Sequence, residues 1–233
     1  MHRAVCGGML KKASAYGAVF RKDRCMNPAQ EFDWTRTSGI VLLATVIVFQ
    51  IGAFSASYFW AMPPSDPRQQ LTLIANDPIG WPAQAIIFPI ALLATSILFG
   101  SIALRLSVWW PRWLGIGATL LFVAGFLLWL PISIDRLRLA AQAAEMLRTF
   151  DPAAPPEVFL NGWVFWPHTI TVLAAIGLMG AALALGGVLP TLGWWVAGLG
   201  VLGLVAGPLL LRDWPPFVSY IFLLVMAIGL IRR

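Results

Sequence analysis

The stretch LGIGATLLFVAGFLLWLPISI, residues 114–134, decides the fold class of this chain. It contains no Asp, Glu, Lys, Arg or His. An apolar run of about 20 residues is long enough to cross the hydrocarbon core of a bilayer as an α-helix. Because backbone N–H and C=O groups in lipid must be hydrogen-bonded within the protein, a helix is the form that such a run can take there. The stretch therefore predicts a transmembrane helix.

The rest of the chain repeats this pattern. Hydrophobic residues make up 59% of the 233 residues and charged residues 11%, whereas soluble domains carry about 25% charged residues. We predict an all-α membrane protein with about six transmembrane helices in one bundle, spanning residues 40–233. The other predicted spans are 40–60, 83–104, 170–189, 194–211 and 217–231. Pro208 should kink the fifth span, and a re-entrant hairpin is the alternative to spans five and six.

Charge distribution predicts the orientation. Six of the 16 Lys and Arg residues precede residue 25, within a basic segment at residues 1–39. With both termini in the cytoplasm, the inner side carries eleven Lys and Arg and the outer side five, as the positive-inside rule requires. We therefore predict an inner (plasma) membrane protein. Met26 is a second candidate start of translation, and a chain starting there has five basic residues on each side. No basic face or motif indicates nucleic acid.

Two predicted outer segments are longer than a turn. Residues 61–82 contain five prolines and predict an irregular loop. Residues 135–167 begin with a helical pattern, which predicts an amphipathic helix that continues the third span or lies on the membrane surface. The Asp-Pro-Ala-Ala-Pro-Pro stretch at 151–156 should end it. Its predicted apolar stripe consists of Leu137, Ala140, Ala141, Ala144 and Leu147.

All twelve tryptophans fall at or near predicted helix ends, where an amphipathic ring prefers the headgroup level of the bilayer. This placement predicts an aromatic belt at each side of the membrane. An alternative is that the outer rings form a rim through which an apolar ligand passes between helices. The predicted inner set is Trp34, Trp109, Trp110, Trp113, Trp194 and Trp195, and the outer set is Trp60, Trp81, Trp129, Trp163, Trp166 and Trp214.

Small residues recur at spacings of three and four in the fourth and fifth spans. Helices in lipid associate through such residues because they let two backbones approach closely. We predict that these two helices pack together within the bundle, and a homodimer face is the alternative. The predicted packing residues are Ala174, Gly177, Ala181 and Ala184 on one helix, and Gly193, Ala197, Gly200, Gly203 and Gly207 on the other.

The predicted spans lack the residues that membrane chemistry requires. No predicted helix core contains Asp, Glu, Lys, Arg or His, and ion pathways and proton relays usually depend on such groups. The chain has two cysteines and two histidines without metal-ligand spacing. We therefore predict no enzyme activity, no cofactor and no metal. One speculative outer-face site would combine His168, Glu157 and Asp135. The alternative is that His168 binds headgroups or loop carbonyls.

Two short motifs carry a resemblance. The WPRWLG sequence at 110–115, followed by an apolar helix, resembles the inner turn of a broad group of uncharacterised bacterial six-helix membrane proteins. The C-terminal FLLVMAIGLIRR sequence at 222–233 is similar to the closing helix of that group. The second inner turn, PTLG at 190–193, departs from it because it lacks an arginine. The resemblance implies architecture and bacterial origin, and no functional residue.

Together these features predict a non-enzymatic polytopic membrane protein. Its expected role is that of an accessory or scaffold subunit, or of a small membrane sensor. The alternative is a transporter or binder of an apolar or lipid-like small molecule. The predicted partners are the lipid bilayer and a further membrane protein, and the pattern leaves the oligomeric state open.

Overall fold

The computed structural model describes residues 28–56, 66–158, 162–211 and 214–233. These parts of the chain are helical and contain no strand. A 3-10 turn at Gly162–Val164 precedes α5, and a π-type turn at Gly207–Leu211 follows α6. The helices are α1 (Pro28–Ser55), α2 (Pro67–Ala75), α3 (Gly80–Arg105), α4 (Trp109–Arg148), α5 (Phe165–Leu185), α6 (Leu192–Ala206) and α7 (Pro216–Ile231).

Five of these helices are long and apolar enough to cross a bilayer: α1 from Trp34 onward, α3, α4, α5, and α6 extended to Leu209. The sixth apolar helix, α7, has 16 residues, which correspond to about 24 Å at the usual rise of an α-helix. The prediction of an all-α membrane bundle is confirmed.

The helices alternate in direction and pack mainly with their neighbours in the chain. α3 packs on α4, α4 on α5 and α5 on α6, while α1 lies against both α3 and α7. One end of the bundle, which we call the α2 end, carries α2 and the last turns of α4. The opposite end carries the turns at 106–108 and 186–191.

Several helices extend beyond the apolar limits that the sequence indicates. α1 begins at Pro28 rather than residue 40, and α4 begins at Trp109 rather than residue 114. A hydropathy limit marks where a helix leaves lipid, whereas the helix itself continues as long as its backbone hydrogen bonds do. α5 ends at Leu185, before the predicted limit at residue 189, because Gly187 adopts a φ of 69° that breaks the helical path.

The prediction of an irregular loop at 61–82 is wrong for residues 67–75, which form α2. The Asp66 side chain accepts a hydrogen bond from the Arg68 N–H, and Pro67 occupies the first helical turn, an arrangement that favours helix initiation. Leu71 and Ile74 are buried with Leu139 of α4 in a small apolar cluster that is separate from the main core of the bundle. This cluster supplies the burial that a nine-residue helix needs, since short helices are marginal by themselves.

The amphipathic segment continues the third span without interruption, because α4 runs for 40 residues to Arg148. Its predicted apolar stripe is only partly covered by the protein. Ala140 and Leu147 pack against the α2 cluster, whereas Leu137 is 42% exposed and Ala141 is also exposed. The residues that are fully buried beneath α2 are Leu139 and Ala143.

Two further local features concern the predicted kink at Pro208 and the turn at Arg112. At Pro208 the regular helix gives way to the π-type turn, because proline cannot donate the hydrogen bond that continues an α-helix. At the opposite end, Arg112 donates through Nε and Nη2 to the Leu106 carbonyl oxygen at 2.9 and 2.7 Å. This pair of hydrogen bonds holds the short turn between α3 and α4.

Candidate functional site

Charged side chains of the described residues enter the protein interior at the α2 end, just beyond the apolar part of α4. Asp135 is only 4% exposed, and its Oδ1 lies 3.8 Å from Nε of Arg138. Arg138 Nη2 also donates a hydrogen bond to the Val158 carbonyl oxygen at 3.0 Å. Arg138 thereby ties the segment after α4 back onto the helix, so these charges have a structural use.

Arg136 lies between two tryptophan rings. Its guanidinium carbon is 4.7 Å from the centre of the Trp81 ring and 5.9 Å from that of Trp129, within cation–π range. Trp81 Nε1 donates a hydrogen bond to the Arg136 carbonyl oxygen at 2.9 Å. These contacts join the start of α3 to α4 and place a positive charge beside the aromatic core.

The tryptophans divide differently from the predicted pair of belts. At the end opposite α2, Trp109, Trp110 and Trp195 are more than half exposed, as expected for rings at a headgroup layer. At the α2 end, Trp81 and Trp129 are 1% and 2% exposed. These two rings therefore belong to the core and form neither a belt nor the rim of an opening, while Trp60 lies outside the described residues.

The three residues of the speculative outer-face site do not come together. Glu157 is exposed, whereas Asp135 and His168 are both buried. His168 contacts α4 at Gly125, which precedes Asp135 by ten residues, or about 15 Å along the helix. Within the described residues, no group of three His, Cys, Asp or Glu side chains is placed to hold a metal ion.

His168 instead lies inside the bundle near the start of α5. It is 4% exposed, and its Nδ1 is 2.7 Å from the carbonyl oxygen of Gly125. A carbonyl oxygen can only accept, so Nδ1 carries the proton and donates. The imidazole ring also lies 4.6 Å from the Trp129 ring. The sequence had suggested that His168 binds headgroups or loop carbonyls. The partner of Nδ1 is instead a carbonyl oxygen of the spanning helix α4.

A continuous series of aromatic rings crosses the bundle from α7 to α5. Tyr220 stacks on Phe49 with ring centres 3.6 Å apart, and Phe49 stacks on Phe88 at 4.2 Å. Phe88 then contacts Trp129 at 5.5 Å, and Trp129 contacts His168. Because large rings bury extensive apolar area, this series links four helices, α7, α1, α3 and α4, to α5 through ring contacts.

The predicted small-residue stripes of α5 and α6 face each other. A Cβ atom added to Gly193 would lie 2.5 Å from the Gly180 carbonyl oxygen, and one on Gly200 would lie 2.8 Å from the Gly177 Cα. The Ala184 Cβ atom would lie 2.9 Å from the same added Cβ atom of Gly193. Gly180 was missing from the predicted stripe, although its spacing of three from Gly177 could have indicated it.

The remaining predicted stripe members lie along the same two helices. Ala174, Ala181 and Ala197 are half-buried. Gly203 meets the Leu173 side chain, and Gly207 meets the rings of Trp166 and Trp214. The end of the stripe thus contacts side chains rather than a second backbone.

A shallow groove of about 500 Å³ lies between α1 and α7. Apolar side chains form most of its wall, including Ile47, Ile51 and Leu224. Gln50 and Ser55 are its polar lining residues, and Gln50 Nε2 donates to the Phe217 carbonyl oxygen at 3.2 Å. The groove opens on a side of the bundle where Ile47 and Ile51 are at least half exposed.

No protein-family model, curated protein or solved structure matches this chain. The likeness of its WPRWLG turn to uncharacterised bacterial membrane proteins therefore stays a prediction.

Proposed function

We propose that this chain is a non-enzymatic membrane protein, either an accessory subunit or a small sensor, that acts by presenting a rigid helical bundle to a protein partner. The observation that supports this proposal is how its buried polar groups are used. Thr95, Ser96 and Thr169 each donate to the carbonyl oxygen four residues earlier in their own helix. Gln84 Nε2 contacts the carbonyl oxygens of Gly52 and Ala53 on α1.

These hydrogen bonds satisfy polar groups that would be costly to leave unpaired in an apolar interior. The contacts of Gln84 with α1, the His168 contact with α4 and the stacked rings connect helices to one another. Side chains committed to the backbone in this way favour a structural role for the interior. The outward helix faces are then the surfaces available for recognition.

The experiment is site-specific photo-crosslinking in the native membrane. A photoreactive amino acid is placed at one of three strongly exposed positions on separate helices: Ile97 on α3, Leu120 on α4 or Val201 on α6. We expect one of these positions to give a stoichiometric crosslink to a single protein, and the others to give lipid adducts. Native mass spectrometry of the mildly solubilised protein should show the same partner. Lipid adducts at all three positions and a chain without a protein partner would contradict the proposal.

A second candidate function is the binding of an apolar or lipid-like small molecule. The α1–α7 groove favours it, because small-molecule sites are concave and mainly apolar with a few polar groups. Its volume of about 500 Å³ is in the usual range for such sites, about 300–1,000 Å³. Gln50 and Ser55 are the polar residues among those that line the groove.

Filling the groove tests this candidate. The double variant Ile47→Trp/Ile51→Trp places two large rings in the groove, and Ile97→Trp places one on the exposed side of α3 as a control. Lipid extraction and mass spectrometry of the purified proteins should show a retained molecule that is lost only in the double variant. Equal retention by all three proteins would show that the groove binds no specific ligand.

A further inference from the structure

A small cavity of about 10 Å³ lies where α5 and α7 approach each other. Four polar residues, His168, Thr169, Ser219 and Tyr220, line it together with apolar side chains such as Phe49. All four polar residues are at most 4% exposed. The cavity is therefore enclosed by buried side chains, and its polarity depends on which hydrogen-bonding atoms remain available.

His168 provides an acceptor. Since Nδ1 donates to the Gly125 carbonyl oxygen, the second ring nitrogen of the neutral imidazole, Nε2, carries a lone pair. No described part of the chain donates a hydrogen bond to Nε2. Leaving such an acceptor unpaired in an apolar interior costs free energy.

Ser219 provides a donor. Its Oγ accepts a hydrogen bond from Trp214 Nε1 at 2.9 Å, and no acceptor for its hydroxyl hydrogen lies in the described parts of the chain. The donor and the His168 acceptor thus border the same cavity from two different helices.

Tyr220 provides a second acceptor. Thr95 donates its own hydrogen to the Ala91 carbonyl oxygen, so in the contact of 3.3 Å between Thr95 Oγ1 and the Tyr220 hydroxyl the tyrosine is the donor. The phenolic oxygen then keeps a lone pair.

We propose that this cavity is the binding site of one water molecule, which accepts from Ser219 and donates to His168 Nε2 and Tyr220. A space of about 10–15 Å³ is the least that holds a water, and buried waters typically make about three hydrogen bonds. The cavity volume is at the lower end of this range, and one donor and two acceptors give the usual three hydrogen bonds, which use one lone pair and both hydrogens of the water. The water connects α7 to α5 through hydrogen bonds.

The test uses ¹⁵N-histidine-labelled protein in lipid bilayers, studied by solid-state NMR. The sequence contains two histidines, His2 and His168, so the His2→Gln variant leaves a single imidazole in the spectrum. We expect a protonated Nδ1, an Nε2 resonance shifted as in a hydrogen-bonded acceptor, and a magnetisation-transfer peak from water to His168.

Two serine variants complete the test. Ser219→Ala removes the donor that lines the cavity, and we expect the water peak to fall to the noise. Ser96→Ala is the control, because its buried hydroxyl donates to the Leu92 carbonyl oxygen and the residue does not line the cavity; the peak should be kept. A free-acceptor Nε2 resonance without a water peak would overturn the proposal. A water peak that survives Ser219→Ala unchanged would also overturn it.

Discussion

Substituting a single glycine in α6 should reveal how closely α5 and α6 are packed. A Cβ atom at Gly200 would lie 2.8 Å from the Gly177 Cα and 2.9 Å from both the Gly177 nitrogen and the Leu173 carbonyl oxygen. Non-bonded carbon atoms prefer about 3.5–4.0 Å. Because all three neighbours are backbone atoms, no side-chain rotamer can relieve the contact. Gly200→Ala must therefore push the two helices apart.

The magnitude follows from two opposing effects. Overpacking a well-packed contact costs about 1–3 kcal/mol, whereas replacing glycine by alanine within a helix gains about 0.5–1 kcal/mol. Gly200→Ala should thus lower the free energy of unfolding by up to about 2.5 kcal/mol, and by about 1 kcal/mol at the middle of the two ranges. At Gly198, an added Cβ would meet no described atom within 4 Å. Gly198→Ala on the same helix should therefore gain about 0.5–1 kcal/mol.

The assay is equilibrium unfolding of both variants and the parent protein in one lipid or detergent mixture. From the most to the least stable, we expect the order Gly198→Ala, parent protein, Gly200→Ala. Gly200→Leu, with a larger side chain, should reduce folded yield further. Equal stabilities for the two alanine variants would refute the reasoning, because they would show that the α5–α6 contact can open by several tenths of an ångström without cost.

Three further substitutions test single contacts. Trp81→Phe keeps an aromatic ring near Arg136 but removes the indole donor to its carbonyl oxygen, so unfolding measurements should show a loss of about 1 kcal/mol. Arg138→Gln should free the segment that ends at Val158, and limited proteolysis should then cleave between residues 149 and 158 several times faster than in the parent protein. Tyr220→Phe removes the hydroxyl that donates to α3 but keeps the ring stack, and should cost about 0.5–1.5 kcal/mol in the same unfolding assay.

Helix positions in lipid could be predicted because each apolar run must satisfy its own backbone hydrogen bonds. Residues 114–134 form the middle of α4 for this reason, and Leu192–Leu209 and Pro216–Ile231 lie close to the predicted fifth and sixth spans. The facing glycines of α5 and α6 were also accessible from spacing, since small residues mark close approach between membrane helices. These are local properties that depend on residue type and period.

The surroundings of individual side chains could not be predicted in the same way. Trp81 and Trp129 have the composition and position of belt residues, but α3 and α4 enclose them around Arg136. His168 lies in an aromatic, interfacial sequence, although its partner is a carbonyl 43 positions away in the chain. Contacts of this length follow from helix rotation and pairing, and hydropathy contains no information about either.

By itself, the sequence determined that this is an all-α membrane protein and which residues can lie in lipid, because the cost of burying charge and unpaired backbone groups depends on composition and length. Only the tertiary structure decided which face of each helix is covered. On α4, the docking of α2 buries Leu139 and Ala143 and leaves Leu137 and Ala141 of the predicted stripe exposed. In the same way, the convergence of α5 and α7 brings His168 and Ser219 to one cavity, which no pattern within either helix could reveal.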